Sequence, residues 1–171
     1  MTVDSRYCPR CGAALPARPP TTCASCGYQL FVNARPTATV IIVRDGTFLA
    51  VRRTIEPKRG MWELPGGFCD GWEHPADAAV REVREELGVE VRLGQFAGMY
   101  IGTYHFQGEL LPVLDAFWLA TITAGEIALD PAEASEFTWA DLDDPPPLAF
   151  PTQDAALRDL GLRRSSRRLV T

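Results

Sequence analysis

The stretch that most constrains this chain is Gly67–Val89, which reads GFCDGWEHPADAAVREVREELGV. Pro75 suits the first turn of a helix, where its missing N–H is not needed, and Gly88 suits the position just past a helix end. Between them Ala76, Ala79, Val80, Val83 and Leu87 fall on one apolar stripe at helical spacing. The spacing therefore predicts a helix over Pro75–Leu87. On it Glu82, Glu85 and Glu86 stand at i, i+3 and i+4, so three carboxylates project from one face. Glu82 and Glu86 are a like-charge i,i+4 pair, which weakens an isolated helix by roughly 0.2–0.5 kcal/mol. A cation at that face turns the repulsion into a binding site, and hard divalent ions prefer clustered carboxylate oxygens. For such a run taken alone the plain alternative is a solvated Glu/Arg face. With Gly67, the upstream Glu73 and the helix terminator in register, the pattern favours a metal site.

The five cysteines supply the second constraint. Cys8, Cys11, Cys23 and Cys26 form C-P-R-C and C-A-S-C with eleven residues between them, and Gly12 and Gly27 follow the pairs. Two such pairs make a tetrahedral thiolate cage for zinc, with glycines that allow the tight turns of two knuckles. Two disulfides are the competing arrangement and need an oxidising compartment. Cys69 is left over as a small loop filler. The hydrophobic fraction of 46% and charged fraction of 23% are those of an ordinary globular chain. A net charge of −5 argues against indiscriminate nucleic-acid binding, so a phosphate-rich ligand has to be received locally by a metal and a few cations. Met1–Arg10 is polar with no apolar h-region, and no run is apolar enough to span a membrane. The expected location is a reducing cytoplasm.

Taken in order, residues 1–33 form the cysteine module, too short to fold without a staple. Thr37–Arg44 and Thr47–Arg53 are β-branched and apolar runs around Asp45-Gly46, a strong hairpin signal. Thr54–Gly60 is a charged loop, and Met61–Pro65 a short strand leading to the Gly66-Gly67 turn. Beyond the helix, Val89–Leu93, Ala97–Ile101 and Leu110–Thr121 read as strands, with Tyr104, His105 and Phe106 at a turn near Gly108. A strand is expected around Glu136–Trp139. Pro145-Pro146-Pro147 breaks the chain, and Thr152–Leu160 closes it as a helix with Thr152 placed to cap it. Arg163–Arg168 reads as a frayed, solvated tail. Strands around a few helices fit a mixed sheet sandwiched between helices.

The fixed residues Gly67, Glu73, Arg81-Glu82-Val83, Glu85-Glu86, Gly88 and Val89 match every position of G-x5-E-x7-R-E-U-x-E-E-x-G-U. This is the signature of the Nudix hydrolases, which the chain resembles. The resemblance implies an α/β fold, a Nudix α/β/α sandwich with a mixed sheet preceded by a small zinc ribbon. Its implied boundaries are 1–33 for the ribbon, 34–162 for the hydrolase domain and 163–171 for a basic tail. It implies Mg²⁺ or Mn²⁺ held by Glu82, Glu85 and Glu86 with the backbone of Gly67, and structural Zn²⁺ on Cys8, Cys11, Cys23 and Cys26. Arg81 then holds Glu82 or Glu85, and Glu73 pairs with that arginine. The general base is Glu82 or, from a separate loop, Glu136.

A zinc ribbon before such a domain resembles two branches of the family. The NADH pyrophosphatases, which also decap NAD-linked RNA, carry S-Q-P-W-P-F-P-x-S after the signature; here Gln95–Gln107 reads QFAGMYIGTYHFQ. Their additional domain before the ribbon is also absent from this sequence. Shorter ribbon-bearing members resemble ADP-ribose and FAD pyrophosphatases, and Phe31–Ala34, Arg53–Trp62, Leu64–Phe68 and Leu148–Phe150 look like theirs. For substrate, Trp62, Phe68, Trp72, Tyr104, Phe106 and Phe150 are stacking candidates, with Tyr104 and Phe106 preferred. Arg52, Arg53, Lys58 and Arg59 are candidates for a second phosphate. The implied reaction is metal-dependent hydrolysis of the pyrophosphate bond in a nucleoside diphosphate linked to X, giving AMP and a second monophosphate. A house-cleaning nucleoside triphosphate pyrophosphohydrolase and a nucleotide- or RNA-binding module, NAD-capped RNA included, are the alternatives. The implied partner is a small nucleotide, with a homodimer as in many relatives.

Overall fold

The computed structural model describes residues 6–168, with side chains as far as residue 161. The cysteine module carries a two-residue ladder, β1 (Thr21–Thr22) against β2 (Gln29–Leu30). Next come β3 (Arg35–Arg44) and β4 (Thr47–Arg53), joined at Asp45 (φ 49°) and Gly46 (φ 85°). Two positive φ values in a two-residue loop define the turn whose twist suits antiparallel strands, as Asp-Gly requires. The short strands β5 (Trp62–Glu63) and β6 (Gly66–Phe68) follow, then helix α1 (Pro75–Leu87). The helix has the predicted bounds: the His74 side chain accepts from the Ala76 N–H, and Gly88 takes the left-handed cap conformation at φ 67°.

After α1 run β7 (Glu90–Phe106), β8 (Glu109–Ala124), β9 (Ala134–Asp141) and α2 (Pro151–Arg168). The sheet order is β5-β4-β3-β8-β7, with β6 on β3 and β9 on β4. β3 and β8 are parallel and the other pairs antiparallel, so the sheet is mixed. Alternation along β3 divides the core. Ala38, Val40 and Ile42 pack under Ala79, Val83 and Leu87 of α1, while Ile41 faces the other way, with Phe117, under Ala156, Leu157 and Leu160 of α2. One helix on each face makes the expected three-layer sandwich.

Four local expectations are corrected. Val89–Leu93 and Ala97–Ile101 are not separate strands but parts of β7, whose register shifts between Leu93 and Gly98. Each shift absorbs an unpaired residue without ending the strand, which sequence alternation reads as a break. Tyr104, His105 and Phe106 consequently lie in the ladder, and the turn falls at Gln107 and Gly108. Thr152 does not cap α2: Pro151 opens the helix, as proline prefers, and the Thr152 hydroxyl turns to Asp115. α2 runs on through Arg168 where a frayed tail was expected; residues 169–171 of that tail lie outside the described residues.

Leu87 is fully buried at the end of α1 beside Val83 and Val89. Leu87→Ala is expected to lower unfolding free energy by about 2–5 kcal/mol, read from the urea midpoint; a shift under about 0.5 kcal/mol would refute this packing.

Candidate active site

Helix α1 lies against the glycine strand β6, and Arg81 ties the two together. All five of its N–H donors are used. Nε and Nη2 fork onto Glu73 at 2.9 and 2.8 Å, Nη1 reaches Glu82 at 2.7 Å and Glu85 at 2.9 Å, and Nη2 also donates to the Phe68 carbonyl at 3.1 Å. The fork on Glu73, with a further bond from the Asp70 N–H, holds that carboxyl down at about 2. The same contacts push the Arg81 guanidinium up.

On the inner side of the helix, burial pushes the carboxyls of Glu86 and Glu82 up, Glu86 well above the usual range. Glu86 accepts the Gly66 N–H at 3.1 Å. Two glycines are required here. Gly66 has φ 146°, and a Cβ on it would stand 2.2 Å from the Ala38 carbonyl oxygen; on Gly67 it would meet the Glu82 carboxylate at 2.6–2.8 Å. Glu63 and Glu133 raise the Glu86 carboxyl further. Glu63, buried, is itself pushed up to about 7 by desolvation, which outweighs its ion pair with Arg53 at 2.5 Å. Arg53 is buried too. Its Nε donates to the Pro57 carbonyl at 2.9 Å, its guanidinium lies 5.1 Å from the Phe150 ring centre, and its Nη2 is buried with no partner.

These groups line one cleft of about 780 Å³. Phe68, Tyr104 and Phe150 form an aromatic wall, with ring centres 5.2 Å apart for the first pair and 5.7 Å for the second. Behind it sits Asp115 of β8, buried, bonded to the Thr39 and Thr152 hydroxyls and raised by burial. Gln153 spans back to the Leu64 backbone.

Of the residues singled out from sequence, the cleft gathers Gly67, Arg81, Glu82, Glu86, Arg53 and Tyr104. Glu85 is held by Arg81 at the rim, its side chain 58% exposed, so the three glutamates do not share one face equally. Glu136 is outside the cleft, ion-paired to Arg52 at 2.6 Å, in the exposed stretch of β9 where the register against β4 shifts. Glu133, just before the strand, takes the position in the cleft. Lys58 and Phe106 are exposed and do not line it, Lys58 lying in the loop after β4 and Phe106 beside the β7–β8 turn. Sequence reading missed Glu63, Glu133 and Asp115. Asp115 carried a signal, a lone charge inside the apolar run LLPVLDAFWLAT.

In the cysteine module the two knuckles repeat one geometry: Gly12 N–H donates to the Cys8 carbonyl at 2.8 Å and Gly27 N–H to that of Cys23 at 2.9 Å. The Cys8–Cys26 and Cys11–Cys23 sulfurs are 3.7 Å apart. Zn–S bonds of about 2.3 Å in a tetrahedron give sulfur separations of about 3.8 Å, so the four thiols fit zinc. Among the described residues they are the one group of three or more ligand side chains whose donor atoms all lie within 4.8 Å. No helix of the described residues is long and apolar enough to cross a membrane.

A mixed sheet between two helices, with a glutamate-bearing helix locked to a glycine strand at a cleft, defines the class of Nudix-fold hydrolases. Residues 33–160 match the NUDIX domain, and the chain belongs to the Nudix family. It is 30% identical over 125 residues to an ADP-ribose pyrophosphatase of Methanocaldococcus jannaschii, covering 72% of this chain and 71% of that one. It is 31% identical over 169 residues to the NAD-capped RNA hydrolase NudC of Pseudomonas aeruginosa, covering 95% of this chain and 57% of that one. The chain thus spans little more than half the length of that relative. A MutT NUDIX hydrolase from Burkholderia pseudomallei has a similar structure, with a TM-score of 0.64 and 31% identity over 74% of this chain and 98% of that one.

Because Glu73 titrates at about 2 when folded against an ordinary 4.5, its stabilising contribution is full above the ordinary value and lost as pH falls through the lower one. The stability difference between wild type and Glu73→Gln, from urea unfolding, is therefore expected to shrink between about pH 4.5 and 2; a pH-independent difference would contradict the fork. Metal analysis is expected to find about one zinc per chain, lost in Cys23→Ser; a zinc-free wild type with two disulfides would refute the thiolate cage.

Proposed function

We propose that this enzyme hydrolyses the pyrophosphate bond of a nucleoside diphosphate linked to X, of the ADP-ribose, FAD or NADH type, releasing AMP and a second monophosphate. One observation carries the reading: inward glutamates, a buried arginine with an unpartnered Nη2 and an aromatic wall open into a single cleft. A ligand with a ring at one end and two phosphates in the middle uses all three. The volume lies within the range of about 300–1,000 Å³ typical of small-molecule sites.

Glu82 and Glu86, with Glu85 at the rim and the Gly67 carbonyl, would hold Mg²⁺ or Mn²⁺. The donor chemistry fits: hard carboxylate oxygens line one cleft, raised by burial first and then by one another's charge, with Glu63 and Glu133 adding negative charge. When bound, such an ion neutralises phosphate oxygens and lowers the pKa of an attacking water. The residues of this chain do the positioning. Arg81 fixes Glu82 and Glu85 at one guanidinium, so neither carboxylate turns away when a phosphate enters. Half-buried Glu82 is the base we favour to take the proton from the water, with Glu133 in the place first assigned to Glu136. Arg53 is held from below by Glu63 and the Pro57 carbonyl, leaving Nη2 to donate to a phosphate oxygen. Tyr104, edge-on to Phe68 and tilted over Phe150, supplies the stacking face.

NAD-capped RNA presents the same bond, and the likeness to NudC extends over 95% of this chain, into the cysteine module. The test is a metal-dependent hydrolysis screen on ADP-ribose, FAD, NADH, dATP and NAD-capped RNA, with Glu82→Gln as control. The expected result is AMP from one small diphosphate-linked substrate, with kcat reduced roughly 10²–10⁴-fold in the variant. Pyrophosphate from dATP as the main product would move the enzyme to the triphosphate class. Full activity of Glu82→Gln would remove Glu82 from the chemistry.

A further inference from the structure

Asp115 is buried in the cleft wall at 6% exposure and takes no part in the hydrolysis proposed above. Along β8 its neighbour on the same face, Phe117, belongs to the apolar core under α2. An apolar side chain at 115 would continue that core. A carboxylate there must be satisfied, because burying one without partners is strongly unfavourable. Oδ1 accepts the Thr39 hydroxyl at 2.9 Å and Oδ2 the Thr152 hydroxyl at 3.0 Å, and Thr37, its ladder partner on β3, adds a further side-chain hydrogen bond. A carboxylate has about four lone-pair sites. Among the described residues no cation pairs with it, and it joins no group of metal-ligating side chains. Three hydroxyls fix its orientation and leave one of those sites for a ligand in the cleft that it lines.

Tyr100 stands opposite Asp115 in the β7–β8 ladder, and Gly102 opposite Val113. A Cβ on Gly102 would lie 2.8 Å from Thr152 Cγ2 and 3.3 Å from Val113 Cγ2, so the missing side chain makes room for the start of α2, which brings the Thr152 hydroxyl to Asp115. A fixed negative acceptor repels phosphate, whereas Arg53, with its unpartnered Nη2, attracts it. Charge thus sets the direction of a nucleotide in the cleft.

We infer that Asp115 is the residue that recognises the base: it accepts an N–H from the exocyclic amino group of a purine ring stacked on Tyr104, with the phosphates turned to Arg53. The inference rests on the cleft being a nucleotide site, and its test uses equilibrium binding, so absence of turnover does not decide it. The probes are AMP, purine riboside 5′-monophosphate (hydrogen in place of the amino group), GMP and 2′-deoxy-AMP, titrated into the full chain. Wild type is expected to bind AMP roughly 10-fold to 100-fold more tightly than the purine riboside nucleotide, as for a hydrogen bond to a charged group. Asp115→Leu should bring the ratio to about one, and Asp115→Asn, which keeps an acceptor oxygen, should retain a preference for AMP. Tighter binding of GMP, lost in Asp115→Leu, would support the same role with guanine as the base. Equal wild-type affinity for AMP and the purine riboside nucleotide overturns the inference, as does a preference unchanged in Asp115→Leu or no binding of AMP or GMP. So does an Asp115-dependent loss on 2′-deoxy-AMP alone, which would place the contact at the ribose. If Asp115→Leu does not fold by thermal unfolding, the wild-type ratio and Asp115→Asn decide.

Discussion

The guanidinium of Arg81 is the joint on which the site depends. Without it Glu73, Glu82 and Glu85 would be three carboxylates near one turn of helix, each best served by moving into water. With it they share one cation whose five N–H groups also reach the Phe68 carbonyl, so loop, helix and glycine strand are fixed together. Planar, bidentate geometry is what lysine could not supply. The electrostatic consequence is a division of the glutamates. Glu73 is held charged by its fork, whereas Glu82 and Glu86 face inward, where desolvation penalises their charge.

The sheet supplies the other wall. Its α2-side face is apolar where Ile41 and Phe117 meet the helix and becomes polar where Thr39 and Asp115 meet the cleft. The change falls along continuous strands, so core and site are one surface read at two ends. Parallel pairing of β3 with β8 sets this, because it places Thr37 beside Asp115 while β6 places Gly66 beside Thr39. The carboxylates of α1 and the carboxylate of β8 thereby open into one space, although they are far apart in sequence.

Much was legible before any coordinates. Helix α1 could be read to the residue because proline, apolar period and glycine terminator are local signals, and the Asp45-Gly46 hairpin because its turn demands positive φ. The thiol cluster was legible because ligand spacing within a knuckle is short-range. The break expected inside β7 was wrong because bulges are paid for by pairing with β8, and nothing in the strand itself announces them. Glu136 was chosen over Glu133 because both lie in one acidic segment, and only the pairing of β9 with β4, with its shifted register, decides which enters the cleft.

The sequence by itself determined the family, the candidate metal-ligand residue types and the elements that carry them, since these rest on spacing along one chain. Tertiary structure decided which carboxylates are buried, that Arg53 keeps its Nη2 unpartnered beside Phe150, and that Asp115 joins Thr39 and Thr152. Desolvation and hydrogen-bond completion depend on groups brought together from strands and helices distant in sequence, and no local pattern encodes that sum.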